Sequence, residues 1–176
     1  HAPLITLVAG LAVRDAILEQ TGVVPDLRWP NDLLFERKKF CGILTEMNAE
    51  QDQIHFVAVG IGINVNHERI PAELSEIATS LRIQTKRVQS RVEIVTRLLR
   101  HLDSYYNQFL SDGPESIVAR FCEVSSYARG KRVRITTPTG TYTGTTDGLE
   151  PGGLLRVRRD DGCTLPVIAG TLTEAD

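Results

Sequence analysis

Residues 24–47 read VPDLRWPNDLLFERKKFCGILTEM, and this stretch decides the fold class. An extended piece from Val24 to Trp29 stops at Pro30, because the residue before a proline is pushed toward extended geometry. Asn31 and Asp32 form a turn, and Leu33 to Phe35 is a short apolar run. Glu36, Arg37 and Lys38 make a solvated hairpin tip, and Lys39 to Met47 is the returning strand. Ile54 to Asn66 is a further strand, strongly apolar until its end. Consecutive antiparallel strands are therefore predicted. Upstream, Leu4, Leu7, Val8, Leu11, Ala12, Asp15 and Leu18 recur with the 3.6-residue period and Gly22 is a stop signal. The pattern predicts a helix over Pro3 to Glu19 that covers one face of the sheet.

Downstream, a looser region runs from His67 to Ser90. A helix is predicted over Arg91 to Leu110, with Val92, Val95, Leu98, Leu99, Leu102, Tyr105, Tyr106 and Phe109 on its buried stripe. Ser90 is a suitable N-cap, with Glu93 three residues on as in a capping box. A second helix runs from Gly113-Pro114 to Glu123. The pattern changes after Arg129. Lys131 to Thr136, Thr141 to Thr145, Leu154 to Arg158 and Thr164 to Ala169 are short alternating strands. Pro138, Gly140, Asp147-Gly148 and Gly152-Gly153 punctuate them. A small barrel of roughly 45 residues lies near the lower limit for independent folding, so it is expected to pack on the first domain. The boundary is placed between residues 128 and 129, giving domains 1–128 and 129–176.

The 176 residues are 41% hydrophobic and 24% charged, with a formal net charge of -2. That is an ordinary globular composition, and it carries no basic excess of the kind that nucleic-acid binding needs. The apolar stretch around Leu4 to Val13 is broken by Thr6 and Gly10 and is too short to span a bilayer. It lacks the marks of a signal peptide. Cys41, Cys122 and Cys163 are odd in number and far apart, so a reducing cytoplasm is the expected setting. The four His residues and the Cys show no metal-ligand spacing.

Three segments carry candidate chemistry. In Arg28-Trp29-Pro30-Asn31-Asp32, an amide and a carboxylate sit side by side on a proline-stiffened bend. The segment is either a plain turn with a core tryptophan or a place where Asn31 and Asp32 orient a polar group or a hydrated magnesium ion. In Lys39-Phe40-Cys41-Gly42-Ile43-Leu44, Lys39 lies one step into the strand, where a cation can meet a carboxylate or phosphate. Gly42 inside a strand marks either a bulge or a close approach of a ligand to the backbone. In Gly60-Ile61-Gly62-Ile63-Asn64-Val65-Asn66, alternation puts Gly60, Gly62, Asn64 and Asn66 on one face. That bare face suits either a planar ligand or a closely packed helix. Neither a dinucleotide fingerprint nor a Gly-x-x-x-x-Gly-Lys phosphate loop is present.

In this order and spacing the three segments resemble the catalytic core of biotin protein ligases: Trp-Pro-Asn-Asp, then Lys-x-x-Gly-Ile-Leu-x-Glu over Lys39 to Glu46, then Gly-x-Gly-x-Asn. Ala78-Thr79-Ser80-Leu81 and the opening helix with Ala9-Gly10-Leu11-Ala12-Val13 are similar to family segments, and the terminal strands resemble the family's SH3-like barrel. The resemblance implies an α/β (α+β) fold: a mixed, largely antiparallel sheet with helices on one face, followed by the barrel. It implies that ATP activates biotin as biotinyl-AMP, which is passed to a lysine of a biotin carboxyl carrier domain of a carboxylase.

By resemblance, Lys39 meets the biotin carboxyl and α-phosphate as the catalytic cation. Gly42, Ile43 and Leu44 line the biotin pocket. Asn31, Asp32 and Asn64 handle ATP and magnesium, with Asp32 as the metal contact. The family's upstream Gly/Arg-rich adenylate loop and a Ser/Thr-containing biotin strand are missing. This is therefore expected to be the C-terminal part of a longer ligase, or a degenerate carrier-docking domain. A lipoate ligase-like enzyme is the related alternative. No helix-turn-helix and no repressor function are expected, and an open sheet edge would favour a homodimer.

Overall fold

A computed structural model describes residues 2–50, 53–138, 140–168 and 170–175. The opening helix α1 spans Ala2–Thr21. Gly22 ends it with a positive φ of 73°, and its N–H returns to Leu18 O at 2.8 Å. A glycine accepts that left-handed conformation without a Cβ penalty. Strands β1 (Asp26–Arg28), β2 (Asp32–Phe35), β3 (Lys38–Glu50) and β4 (Gln53–Ile63) follow. They pair antiparallel in sequential order. A short 3₁₀ turn, Ala72–Leu74, and helices α2 (Leu81–Thr85), α3 (Arg91–Asp112) and α4 (Pro114–Val124) complete the first unit.

Several expectations need correction. The first strand begins at Asp26, not Val24, because Pro25 has no N–H to give to a ladder. The turn is Trp29-Pro30-Asn31, with a cis Trp29–Pro30 bond, and Asp32 already opens β2. β4 stops at Ile63, so Asn64 and Asn66 do not continue the glycine face. The chain leaves the sheet there because each amide finds a partner elsewhere. Asn64 Nδ2 donates to Thr79 O at 3.1 Å and Asn66 Nδ2 to Gln89 O at 2.9 Å.

α1 covers one face of the first sheet, and α3 packs on the outer side of α1. Leu7, Leu11, Val13 and Ile17 of α1 pack with Leu27, Leu33, Phe40 and Ile43 in the core. Ser90 caps α3 by accepting from Glu93 N at 3.3 Å. Glu93 does not close the box and instead accepts from Gln20 Nε2. The stripe of α3 is also corrected. Ile94 and Leu98 are buried, whereas Val92, Val95, Leu99 and Tyr106 are exposed. The apolar residues of α3 span more than the side turned toward α1 and α4, and burial follows only that side.

The second unit is a five-stranded antiparallel sheet: β5 (Arg129–Thr137), β6 (Gly140–Leu149), β7 (Leu155–Arg159), β8 (Thr164–Val167) and β9 (Thr171–Glu174), in the order β8-β7-β6-β5-β9. It encloses Val133, Ile135, Leu155, Val157, Val167 and Leu172. β9 is an addition to the expected strands. The expected end of the fourth strand, Ala169, lies outside the described residues. Asp147-Gly148 is not a strand boundary. β6 continues to Leu149 through a register shift, with Gly148 at φ 83°.

Candidate active site

Lys39 reaches the open face of the first sheet through an irregularity in β3. The β2–β3 register runs Leu33↔Cys41 and then Leu34↔Lys39, so Phe40 is an extra residue on β3. Such a bulge changes the alternation of side chains. Phe40 and Cys41 are both buried, and Phe40 stacks on Phe35 with ring centroids 4.5 Å apart. Lys39 and Gly42 therefore share the outward face. A β-carbon built on Gly42 would stand 2.9 Å from both Cε and Nζ of Lys39. The absent side chain at position 42 lets the lysine lie there, and the bulge itself falls at Phe40.

The ammonium of Lys39 is held by Asp32 Oδ1. The other oxygen of Asp32 accepts from Arg28 Nη2 at 2.7 Å. Arg28 faces Asp32 directly in the β1–β2 register. Arg28 is not among the expected site residues, yet its signal is present in the sequence: once residues 29–31 form the turn, residues 28 and 32 oppose one another. Lys38 goes elsewhere and donates to Ser75 O at 2.7 Å. The backbone of Lys39 is fixed as well. Its N–H meets Ile77 O at 2.8 Å and its carbonyl accepts from Thr79 N at 2.9 Å. This parallel bridge to Ala78 takes the place along β3 that β4 vacates.

The remaining expected residues divide into two groups. Asn31 braces the bend: its Nδ2 donates to Ile43 O at 2.7 Å and its carbonyl accepts from Ile43 N at 2.9 Å. Ile43 turns its side chain into the core toward Gly10. Both of its backbone groups are taken by Asn31, so Ile43 braces the bend while it also borders the recess over the glycine floor. Leu44 is 62% exposed and lies on the open face opposite Gly60. A β-carbon on Gly60 or Gly62 would meet only atoms of β3, at 3.8 Å or more. Among the described residues no helix packs on these glycines.

A recess of about 500 Å³ lies over this floor between Asn31, Lys39, Leu44 and Gly60. A second, of about 450 Å³, lies between Lys39, Asn64, Leu74 and Ile77. Lys39, Gly42 and Gly62 border both, which makes one trough with the lysine at its middle. Beneath the floor, burial pushes the Cys41 thiol up to about 12, Lys39 acting to lower it and Asp32 to raise it. The thiol is therefore protonated and plays no part as a nucleophile.

The arrangement does not fit a resident magnesium ion at Asp32. Both carboxylate oxygens are already engaged by cations. Among the described residues no three His, Cys, Asp or Glu side chains gather. Asp32 instead orients Lys39 and Arg28.

The chain thus combines an antiparallel sheet with helices to one side, a lysine on a glycine floor on the other, and a small appended five-stranded unit. Residues 1–64 match the Biotin/lipoate A/B protein ligase family, and residues 129–171 match the Biotin protein ligase C terminal domain. Residues 1–64 thus carry the pattern of the ligase family's catalytic domain and residues 129–171 that of its C-terminal domain. It is 37% identical over 164 residues to the Bifunctional ligase/repressor BirA of Bacillus subtilis, covering 91% of this chain and 50% of that protein. It is 35% identical over 139 residues to the Biotin--[acetyl-CoA-carboxylase] ligase of Mycobacterium tuberculosis, covering 77% of this chain and 49% of that one. The chain thus spans about half the length of the curated relatives it matches. The biotin protein ligase of Aquifex aeolicus superimposes with a TM-score of 0.87 at 28% identity, over 99% of this chain and 76% of that one. The same ligase in complex with biotin and ATP gives a TM-score of 0.85 at 28% identity, over 98% and 72%.

Proposed function

We propose that this chain carries the lysine-bearing half of a biotin protein ligase site. The observation that carries this reading is Lys39, fixed by Asp32 on a side-chain-free floor at the middle of the trough. Activation requires a biotin carboxylate oxygen to attack the α-phosphorus of ATP while the bond to pyrophosphate breaks. Two anions approach one another in that step. A preorganised ammonium offsets their repulsion and stabilises the charge that develops. The acceptor amine then attacks the acyl carbon of biotinyl-AMP, loses a proton, and AMP leaves. That step is mainly a matter of positioning.

In this reading Leu44, Gly42 and Gly60 border the biotin end of the trough. The end beside Asn64 and Ala78 takes the nucleotide. Asn31 and Asp32 hold the bend and the lysine. The acceptor is the biotin carboxyl carrier domain of a carboxylase, as the Mycobacterium tuberculosis relative's name indicates for that enzyme. Residues 1–128 form the catalytic unit and 129–176 the barrel. The barrel's match to a biotin ligase C-terminal domain favours biotin over lipoate. Among the described residues no helix is long and apolar enough to cross a membrane, and the free thiols support a cytoplasmic setting. The outer edge of β4 has no strand partner among the described residues, which supports pairing with a second copy.

Calorimetric titration with biotinyl-AMP and lipoyl-AMP tests the assignment. The biotinyl compound is expected to bind, and Lys39→Ala to weaken it about 10- to 100-fold, the scale of one charge-assisted hydrogen bond. A carrier-docking module would bind the carrier domain irrespective of Lys39 and take neither adenylate. Preference for lipoyl-AMP would move the assignment to lipoate.

A further inference from the structure

The barrel touches the hairpin that carries Asp32 and Lys39 at both of its ends. At the Asp32 end, the indole Nε1 of Trp29 donates to Gly153 O at 2.9 Å, a buried bond across 124 positions of sequence. Gly153 sits in the tight β6–β7 turn, where its N–H returns to Glu150 O at 2.8 Å. Its φ is 84°, and a β-carbon there would stand 3.3 Å from Leu4 and Leu7 of α1. Glycine takes this positive φ without strain and leaves room for the two leucines. At the other end, Arg37 in the β2–β3 turn pairs with Glu174 at the end of β9. Glu174 also accepts from Tyr127 Oη at 2.6 Å and pairs with Lys131 at 3.0 Å.

We infer that the barrel acts as a clamp on the β2–β3 hairpin, with Trp29 as a positioning residue for the ligase reaction. Trp29 directly precedes the Pro30-Asn31-Asp32 bend, and Asp32 holds the ammonium of Lys39. The contact with Gly153 thus fixes the root of the arm that aims the lysine, although neither residue need touch substrate. The two contacts are unequal. The indole bond is buried, whereas Arg37 is 66% exposed and such pairs contribute little. The clamp's effect therefore rests mainly on Trp29. This inference rests on the ligase reading for its catalytic consequence and on the geometry alone for its mechanical one.

The test compares Trp29→Phe, which removes the indole donor and keeps an aromatic ring, with Arg37→Ala at the exposed tip. Arg132→Ala, which breaks an ion pair with Asp160 inside the barrel, is the control. Two readouts are taken on the full-length protein: biotin-dependent pyrophosphate–ATP exchange, and amide hydrogen exchange over residues 32–42. Trp29→Phe is expected to lower kcat about ten-fold with little change in KM, because misaimed groups cost rate rather than ground-state binding. It should speed amide exchange in the hairpin. Arg37→Ala should act in the same direction and more weakly, and Arg132→Ala should do neither. Unchanged kcat in folded Trp29→Phe protein overturns the positioning role. Unchanged hairpin exchange overturns the clamp, and this arm decides even if the wild-type protein shows no pyrophosphate exchange, an outcome that would count against the ligase reading instead. Should Trp29→Phe fail to fold, Gly153→Ala, which strains the turn that presents the acceptor carbonyl, decides through the same hairpin exchange: faster exchange supports the clamp and unchanged exchange overturns it.

Discussion

Lys39 Nζ occupies the space a side chain at position 42 would need. A Gly42→Ala change therefore meets the flexible end of a lysine rather than backbone. The lysine swings away at small cost, so stability should change by less than about 1 kcal/mol while exchange activity falls. Melting temperature and kcat measured on the same sample separate the two. A second expectation concerns the thiols. Cys41 is buried and its thiol is pushed up to about 12, whereas Cys163 is exposed. Iodoacetamide at about pH 8 should alkylate Cys163 and spare Cys41, as peptide mass mapping would show. At this scale Lys39, Gly42 and Asp32 were legible, because a charge beside an apolar run and a glycine inside a strand each need a reason. The extra residue at Phe40 was not. A bulge is a property of the pairing, and alternation alone would have put Lys39 and Gly42 on opposite faces.

The helices and strands show where one-dimensional patterns stop carrying information. The period of α3 was correct and its buried face was not, since Ile94 is buried and Val92 is exposed. Ile94→Ala should cost about 2–5 kcal/mol, and Val92→Ala should stay within about 0.5 kcal/mol. Denaturant unfolding of the two variants checks the difference. Ser90→Ala should cost about 1 kcal/mol through loss of the cap to Glu93 N. The β4 strand was legible for as long as its residues alternate beside β3. Its end was not, because Asn64 and Asn66 leave for Thr79 and Gln89, partners 15 and 23 positions away. The short terminal strand β9 escaped notice because four residues give too little alternation to read.

Across the whole molecule, two units were visible as a change of pattern near Arg129, but nothing in the sequence links Trp29 to Gly153. The contact that joins them depends on the fold of both. Electrostatics give a further expectation at this scale. Burial alone would raise the carboxyl of Glu174, yet hydrogen bonds from Tyr127 and Lys131 and the charge of Arg37 hold it below its usual value of 4.5. A carboxylate with a depressed folded value stabilises the protein above its unfolded pKa, and that contribution is lost as pH falls through the folded value. The melting temperature should therefore drop as pH falls below about 4.5, and Glu174→Gln should flatten that part of the profile.

Lys39 on its glycine floor is proposed to drive adenylate formation. The most direct measurement is biotin-dependent exchange of labelled pyrophosphate into ATP by the full-length protein, beside its Lys39→Ala variant. Exchange is expected in the first and a loss of about 100-fold or more in the second, the cost of removing a preorganised charge from the transition state. Exchange that survives the substitution undiminished, or a folded wild-type protein that shows none, would contradict that role.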